Sequence, residues 1–316
     1  MPATRPNSSQ AEQTRYAWKL LRAGPLRLDG GSMFGVVPRA VWNRNVPCDE
    51  QGRIELAHNC LLLKPTGSAV GSPRRVVIEV GSGDKFDEKN RNIYGLGDRA
   101  ISDALRDVGC RCEEVDHVIV THLHFDHAGG LTRHTAGGVE RTFPNATVHV
   151  QRREWDDALA NRSVMTRTYL PENLEPIRPQ LRLIDSPPPF PPGHLPQRDE
   201  SPPNPLSQRE TQILPGIHVF NVPGHTWGQQ AVRFTDDRGR VVVFCPDIIP
   251  TAAHVGAAYN MAYDVEPFIS TVTRRWFLNE AVENDWLLVL DHEPGEPRRR
   301  VRADGRGWYE LVAATE

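Results

Sequence analysis

The chain contains 316 residues, with 37 Lys and Arg against 40 Asp and Glu and a formal net charge of −3. This near balance argues against nucleic acid or an anionic membrane as a partner, because overall electrostatic binding to either needs a positive excess. A hydrophobic fraction of 39% with 24% charged residues excludes the disordered and membrane-embedded classes of protein.

The N-terminal segment is polar and carries no apolar stretch of the ~7–15 residues that a secretory signal needs. No apolar run elsewhere approaches the ~18–20 residues of a membrane helix. We therefore expect a cytoplasmic protein with a flexible arm over residues 1–15 and a single domain over residues 16–316.

Strand and helix patterns follow along the chain. Aliphatic runs bounded by Gly, Pro or Ser predict strands, and apolar residues at helical spacing predict helices. The strands are expected at 17–28, 54–64, 76–80, 117–121, 146–151, 217–222, 231–235, 241–245 and 286–291, and the helices at 100–108, 153–160 and 266–282. Two blocks of strands, each followed by helices, predict an α/β protein in which sheet packs on sheet with the helices outside.

A proline-rich segment interrupts this pattern. Residues 187–205 hold nine of the 27 prolines, a density that excludes a helix interior or a central strand. We expect a long irregular loop inserted in the domain. It is either a polyproline-like surface linker or a lid or partner-docking arm, and the linker is favoured because only His194 in it is chemically reactive.

The most informative segment is the loop after the predicted strand 117–121. Three histidines and an aspartate stand within six residues there, as His122, His124, Asp126 and His127. A loop at a strand end can turn all four side chains to one point. Imidazole beside carboxylate suits Zn, Fe or Mn, so a metal site is favoured over a solvated histidine-rich loop.

Three further candidate ligands stand later in the chain. His225, Asp247 and His292 each follow an apolar strand, and strand ends aim side chains rigidly. Each is a weak signal alone, since a single His at a strand end is more often structural. Together they predict two metal positions, because the first two histidines of the loop project alike whereas the later Asp-His pair lies further round it.

The order His-x-His-x-Asp-His, then His, then Asp, then His, over roughly residues 54–293, resembles the metallo-β-lactamase-fold hydrolase superfamily. The resemblance implies an αβ/βα sandwich of four layers, in which two facing mixed sheets carry helices outside and two divalent metal ions at one edge. Zn is the leading metal, with Mn, Fe and Co as alternatives. By the same resemblance the first metal would be held by His122, His124 and His225, the second by Asp126, His127 and His292, and Asp247 would bridge both.

Mechanism follows from two divalent ions held close together. They lower the pKa of a shared water and polarise a substrate carbonyl or phosphoryl oxygen. The predicted nucleophile is therefore a metal-bridging hydroxide, and no Ser, Cys or His nucleophile is required. Asp126 is the predicted catalytic residue, as a proton shuttle to the leaving group.

Segments 28–35, 244–254 and 291–294 resemble the branch that contains quorum-quenching N-acyl-homoserine lactonases and organophosphate hydrolases. The resemblance implies opening of a lactone or cleavage of a related ester, with a small molecule as the partner. A phosphotriesterase, a glyoxalase II-like thioesterase and a non-catalytic metal-binding scaffold are the alternatives, and a homodimer is left open.

The chain departs from the family pattern at three positions. Glu79 stands where the family usually has Asp, and we expect it to orient the histidine loop. Trp227 replaces the usual proline in the turn after the downstream histidine, which brings an indole near the site. This indole either lines a pocket or packs against its neighbours, and packing is favoured. Pro250 occupies the position of the lactonases' catalytic tyrosine, so Tyr259 and Tyr263 are left as candidates to reach in.

Several apolar and aromatic residues are candidates for a substrate pocket. Met33, Phe34 and Trp42 either wall a groove for an acyl chain or pack in the core, and the sequence does not separate these alternatives. His254 is likewise either a pocket residue or a hydrogen-bonded loop residue.

Overall fold

The computed structural model describes residues 14–67 and 73–314. Residues 1–13 of the expected arm lie outside the described residues, so the prediction of a flexible segment there is not tested. None of the described helices is long and apolar enough to cross a membrane.

The described chain forms strands and helices whose bounds are as follows. The strands are β1 (Tyr16–Asp29), β2 (Arg53–Pro65), β3 (Val76–Ile78), β4 (His117–Ile119), β5 (Thr132–Thr135), β6 (Gly138–Arg141), β7 (Thr147–Gln151), β8 (Leu181–Ile184), β9 (Glu210–Leu214), β10 (Ile217–Asn221), β11 (Gln230–Thr235), β12 (Val241–Cys245), β13 (Leu287–Leu290), β14 (Arg298–Ala303) and β15 (Tyr309–Ala313). The helices are α1 (Gly30–Phe34), α2 (Arg39–Trp42), α3 (Glu88–Tyr94), α4 (Ile101–Asp107), α5 (Phe125–Ala128), α6 (Arg152–Leu159), α7 (Pro171–Leu174), α8 (Leu206–Arg209) and α9 (Pro267–Glu283).

Two mixed sheets face each other. The first has the strand order β1-β2-β3-β4-β7-β8, and the second has the order β15-β14-β13-β12-β11-β10-β9. Strands β3, β4, β7 and β8 run parallel, as do β12 and β13, and the other pairs within the two sheets are antiparallel. A separate hairpin joins β5 to β6. This arrangement confirms the expected α/β architecture of sheet on sheet.

The apolar core lies in three layers. Side chains from both sheets meet between them, among them Ile78, Ile119, Val242 and Val289. The outer face of the first sheet packs against α4 and α6, and that of the second packs against α9. Because these central strands are buried on both faces, they read as continuous apolar runs rather than as alternating patterns.

The predicted helices at 100–108, 153–160 and 266–282 correspond to α4, α6 and α9 to within one residue at each end. The proline-rich segment 187–205 is an irregular loop, as expected. Strands β5, β6, β8, β9, β14 and β15 were absent from the predicted set. Strand β14 reads Arg-Arg-Arg-Val-Arg-Ala, and a strand near a sheet edge needs no apolar pattern because its charged side chains reach solvent.

This topology positions the site. Strands β3, β4, β12 and β13 all end at one edge of the sandwich, and the residues that follow them carry the predicted ligands or their supports. The carboxyl ends of parallel strands form a crevice in sheets of this kind. Polar side chains from four separate parts of the chain therefore meet at this edge.

Candidate metal centre

The histidine loop that follows β4 is packed directly onto the end of β3. An added Cβ at Gly129 would lie 2.1 Å from the carbonyl oxygen of Ser82, and one at Gly130 would lie 2.1 Å from that of Val80. Only glycine allows so close an approach of two backbones. The Gly-Gly pair thus holds the loop, and α5 within it, against the sheet edge.

The first half of the site consists of His122, His124 and His225, all of which are buried. Nε2 of His225 lies 3.0 Å from Nδ1 of His124. The Nδ1 atoms of two of these rings have hydrogen-bond partners. Nδ1 of His225 lies 3.0 Å from a carboxylate oxygen of Asp264. Nδ1 of His122 lies 3.1 Å from Oγ1 of Thr121. Hydrogen bonds of this kind set the tautomer of an imidazole and leave its other nitrogen free to bind a metal.

The second half of the site contains His127, Asp247, Asp291 and His292, which are also buried. Nε2 of His127 and Nε2 of His292 are 3.1 Å apart. Nδ1 of His292 lies 2.9 Å from the carbonyl oxygen of Ala57, so the ring donates there and its Nε2 faces the centre.

Asp247 lies between the two halves. Its Oδ2 is 3.2 Å from Nε2 of His225 in the first half and 3.5 Å from Nε2 of His127 in the second. Its Oδ1 is 3.4 Å from Nε2 of His292. One carboxylate therefore faces imidazoles of both halves, which is the position that a shared ligand requires.

The donor atoms fit divalent cations. Atoms bound tetrahedrally at about 2.0–2.1 Å from one ion stand roughly 3.4 Å apart, close to the separations within each half. Nε2 of His122 and Oδ1 of Asp247 are buried without a hydrogen-bond partner. Leaving such atoms unsatisfied costs about 1–3 kcal/mol each, so bound cations would remove a penalty that the protein alone carries.

Asp126 and Asp291 occupy opposite sides of the His127 ring. The Asp126 carboxylate lies 3.9 Å from Nε2 of His127 and 3.7 Å from Nε2 of His292, on the side that faces the centre. The Asp291 carboxylate lies 3.9 Å from Nδ1 of His127, behind the ring. Asp291 was absent from the predicted ligand set, although it directly precedes His292.

Glu79 also stands behind His127. Its Oε2 is 3.4 Å from Nδ1 of His127, and its Oε1 accepts a hydrogen bond of 2.5 Å from the backbone N–H of Thr121 at the start of the loop. The residue has φ of 63°, a left-handed conformation that is unfavourable for a side chain other than glycine. This turn ends β3 and aims the carboxylate at the histidine loop.

A second buried carboxylate, that of Glu154 on α6, supports the first half. Its Oε1 accepts from the backbone N–H of Leu123 at 2.9 Å and from the hydroxyl of Tyr169 at 3.1 Å. Its Oε2 accepts from the hydroxyl of Thr226 at 2.6 Å. Leu123 and Thr226 each adjoin a histidine of the first half, so one side chain ties together the two chain segments that carry it.

Sequence reasoning missed Glu154 and Asp264. A signal for Glu154 exists, because Trp155 and Ala158 mark the buried face of α6 and Glu154 is one turn before Ala158. Asp264 lies in an irregular segment without periodicity, and no sequence pattern places it behind His225.

The electrostatics of the two halves differ. Burial and the neighbouring histidines hold the pKa values of His122 and His124 well below the usual value. Burial also acts to lower the pKa of His127, but the carboxylates of Asp126, Asp247 and Glu79 outweigh it and hold that pKa well above the usual value. Burial acts to raise the pKa of Asp247, but the surrounding histidines dominate and keep it ionised.

A cavity opens over the centre. It is reached by ligand atoms of both halves, and its walls are mainly apolar or aromatic. The wall residues include Leu28, Met33, Tyr94, Phe125, Met165, Met261 and Tyr263. Tyr263 and Met33 were predicted pocket candidates, and burial raises the pKa of Tyr263 to about 12, so its phenol stays protonated at neutral pH.

The other pocket candidates lie behind the wall or outside it. Phe34 stacks on His254 at 4.6 Å and on Trp42 at 5.2 Å, in a cluster beneath the cavity. Both ring nitrogens of His254 are occupied, by Thr251 and by the carbonyl of Met33.

Trp227 and Tyr259 do not line the cavity either. The indole of Trp227 lies 5.0 Å from the Arg153 guanidinium and donates a hydrogen bond to Glu266. Tyr259 packs edge-on against Phe34. Of the alternatives that the sequence left open, the structure therefore shows packing or surface positions for Phe34, Trp42, Trp227 and His254, because each ring is held by other contacts. Tyr259 does not reach the cavity.

Comparison with protein families identifies the group to which the chain belongs. The model of the metallo-beta-lactamase superfamily matches residues 54–292, which is more than half of the chain. The chain belongs to the metallo-β-lactamase superfamily. This membership confirms the expected family and the expected αβ/βα sandwich.

Individual members of the superfamily resemble the chain at low identity. It is 24% identical over 191 residues to N-acyl homoserine lactonase AiiA of Bacillus thuringiensis subsp. kurstaki, and the match spans 60% of either chain. A probable metal-dependent hydrolase of Staphylococcus aureus superposes with a TM-score of 0.76 at 24% identity, covering 96% of this chain and 100% of that one. AidC, described as a dizinc quorum-quenching lactonase, superposes with a TM-score of 0.72 at 16% identity, covering 96% of each chain.

Proposed function

We propose that this superfamily member is a binuclear metal-dependent hydrolase that opens a lactone ring, with N-acyl-homoserine lactones as the substrate class. The observation that carries the proposal is the convergence of buried imidazoles and carboxylates around two adjacent points that share Asp247. The description of AiiA and AidC as lactonases supports the choice of substrate.

The ligand assignment follows the two halves, except that Asp126 replaces Asp291. The Asp126 carboxylate faces the centre, whereas that of Asp291 lies behind the His127 ring. His122, His124 and His225 would hold the first cation, His127, His292 and Asp126 the second, and Asp247 both. Bound divalent cations supply Lewis-acid polarisation of a carbonyl oxygen and acidify a water molecule. Imidazole and carboxylate together suit Zn best, and Mn, Fe and Co also bind such donors.

Asp126 is placed to move a proton. Its carboxylate lines the cavity and is 7% exposed, so it faces the substrate while shielded from bulk water. Opening a lactone forms a bond from a water oxygen to the carbonyl carbon and breaks the bond from that carbon to the ring oxygen. The attacking water loses a proton and the departing ring oxygen gains one. Asp126 would accept the first proton as a carboxylate at the cavity floor and deliver it to the ring oxygen.

The cavity walls suit the apolar part of such a substrate. Three of the four methionines of the chain, Met33, Met165 and Met261, line it. Methionine is unbranched and flexible, so a wall of this kind adapts to chains of different length. We therefore infer that the acyl chain lies against these methionines and that the lactone ring lies over the centre.

The direct test measures metal content and hydrolysis together. Protein loaded with Zn should contain two metal ions per chain and should release acid from N-hexanoyl-homoserine lactone, and treatment with a chelator should abolish the activity. His122→Ala should lose both metal and activity, whereas His134→Ala, at an exposed histidine of β5, should lose neither.

Two outcomes would contradict the proposal. A metal content of no more than one ion per chain would contradict a binuclear centre. Protein with two ions that is inactive on lactones of short and long acyl chains but active on a phosphotriester or a thioester would keep the centre and reassign the substrate.

A further inference from the structure

A second cleft lies apart from the metal centre. It encloses about 220 Å³ between the proline-rich loop, α9 and the turn that joins β14 to β15. None of its lining residues also lines the cavity over the metal centre. The cleft is therefore a separate site, which the proposed hydrolysis leaves without a role.

Three guanidinium groups surround this cleft without a carboxylate partner among residues 14–67 and 73–314. They belong to Arg198 of the proline-rich loop, Arg275 of α9 and Arg306 of the turn. By contrast, each of the arginines at 298–300 on β14 is paired with a carboxylate. Like charges around one cleft repel each other, and a bound anion would relieve that repulsion.

The floor of the cleft adds a fourth guanidinium. Arg274 is buried, and it donates from Nε to the carbonyl oxygen of Ile248 at 2.8 Å and from Nη1 to that of Gly256 at 3.0 Å. These contacts hold its position through neutral acceptors rather than through a carboxylate. The cleft thus has a cationic floor as well as a cationic rim.

The wall of the cleft is aromatic and apolar. Trp308 is 65% exposed at the rim, although an indole of this size is usually covered. Tyr309 is held in place because its hydroxyl donates to Oδ1 of Asn279, and Leu278 of α9 also lines the wall. Arg275 lies beside this wall, since an added Cβ at Gly307 would be 3.6 Å from its Nη2.

We propose that this cleft binds a small organic anion that carries an aromatic body. The ring lies against the indole of Trp308, and the anionic group lies between Arg275 and Arg306. Exposed indole beside guanidinium is a combination that recognises flat rings with a nearby negative charge. Carboxylate, sulfonate and phosphate groups share this chemistry, and competition between them tells which one the cleft prefers.

The test uses 8-anilino-1-naphthalenesulfonate as a probe on the metal-loaded full chain. We expect saturable binding at one equivalent that Arg275→Gln or Arg306→Gln weakens about tenfold, since each removes a charge-assisted contact. Trp308→Ala should weaken binding to a similar extent. Arg302→Gln, on β14 outside the cleft, removes the same charge from the same hairpin and should leave binding unchanged.

Two smaller probes separate the ring from the charge. N-phenyl-1-naphthylamine, which has the same rings without the sulfonate, and inorganic sulfate should both bind much more weakly than the probe. Phenyl phosphate and phenylacetate should displace the probe, and the stronger competitor identifies the preferred anionic group. Unchanged metal content and lactone hydrolysis in the variants show that they are folded.

Three results would overturn the inference. Equal affinity of the neutral naphthylamine would mean that the charge is not recognised. Equal weakening by Arg302→Gln would mean that only the overall charge of the hairpin matters. Binding of a poly-glutamate peptide but of no aromatic anion would assign the cleft to an acidic protein segment.

Discussion

The two halves of the candidate metal centre differ in their donor groups. The first half presents three imidazoles, and the carboxylates that support it, Asp264 and Glu154, stand behind the rings or behind the backbone. The second half has carboxylates on both sides of His127, with Asp126 towards the centre and Asp291 behind it. Three imidazoles, of which His122 and His124 are kept neutral by burial, and a charged cluster thus meet at Asp247.

This difference predicts different metal chemistry in the two halves. Imidazole donors favour borderline ions such as Zn, whereas carboxylate donors also accept harder ions such as Mn. We expect the first half to bind Zn selectively and the second to exchange metals more readily. Variants that change one half alone, or both halves together, test this difference.

The largest effect is expected at the carboxylate that the halves share. Asp247→Ala removes a donor from both, so metal content should fall below one ion per chain and lactone hydrolysis should fall by at least about 10⁴-fold. Metal analysis and steady-state kinetics measure both changes. Asp237→Ala, at an exposed turn, is the matched control, and retention of two ions by Asp247→Ala would show that the halves are independent.

A smaller loss of activity is expected for variants of Asp126, which is both a proposed metal ligand and the proposed proton carrier. Asp126→Asn keeps the shape of the side chain and an oxygen donor, so both metals should remain while kcat falls about 10²-fold through loss of the proton transfer. A substrate with a better leaving group should recover part of the rate. Full turnover with both metals in place would disprove the shuttle.

Glu154 tests the support of the first half alone. Glu154→Gln places an amide N–H₂ where a carboxylate oxygen accepted hydrogen bonds, so the segments of His124 and His225 should lose alignment. Zn affinity of the first half should fall about 10- to 100-fold, measured by chelator competition, while that of the second half stays. Asp156→Asn, on the exposed face of the same helix, should change neither, and equal losses in both halves would indicate general destabilisation.

The smallest effect is the pH dependence of metal binding. The pKa of His127 is held well above its usual value, so the metal-free second half carries a proton that a cation must displace. Its affinity should therefore weaken as pH falls, by about tenfold per unit for one proton released. In the first half His122 and His124 are already neutral, and only the pKa of His225 is raised, because Asp247 and Asp264 outweigh its burial.

Chelator competition at pH 6, 7 and 8 measures this dependence. The affinity of the second half should rise steeply over this range, whereas that of the first half should rise less, because two of its three histidines are already neutral. Glu79→Gln removes one of the carboxylates that raise the pKa of His127 and should flatten the dependence of the second half. An equally steep dependence of metal affinity on pH in both halves would contradict the electrostatic difference between them.

Central strands and long helices were predictable from the local sequence. Strands such as β12 read as continuous apolar runs, and α9 extends over 17 residues without an internal helix breaker. Edge strands such as β9 and β15 were missed, because their pairing partners supply the stability that their own side chains do not. The short turn of Glu79 shortened β3 by two residues relative to the predicted strand, since its φ is positive.

The candidate metal ligands could be picked out from the sequence because such residues at strand ends are few, polar and locally spaced, and they stand out against apolar strands. Tertiary structure alone decided what surrounds them: Glu154 beneath the first half, Asp291 behind His127, and the arginine-lined cleft. Contacts of this kind join residues that are far apart in the sequence, such as Ala57 and His292, which are 235 positions apart. No local pattern encodes such a contact, because only the packing of two sheets brings its partners together.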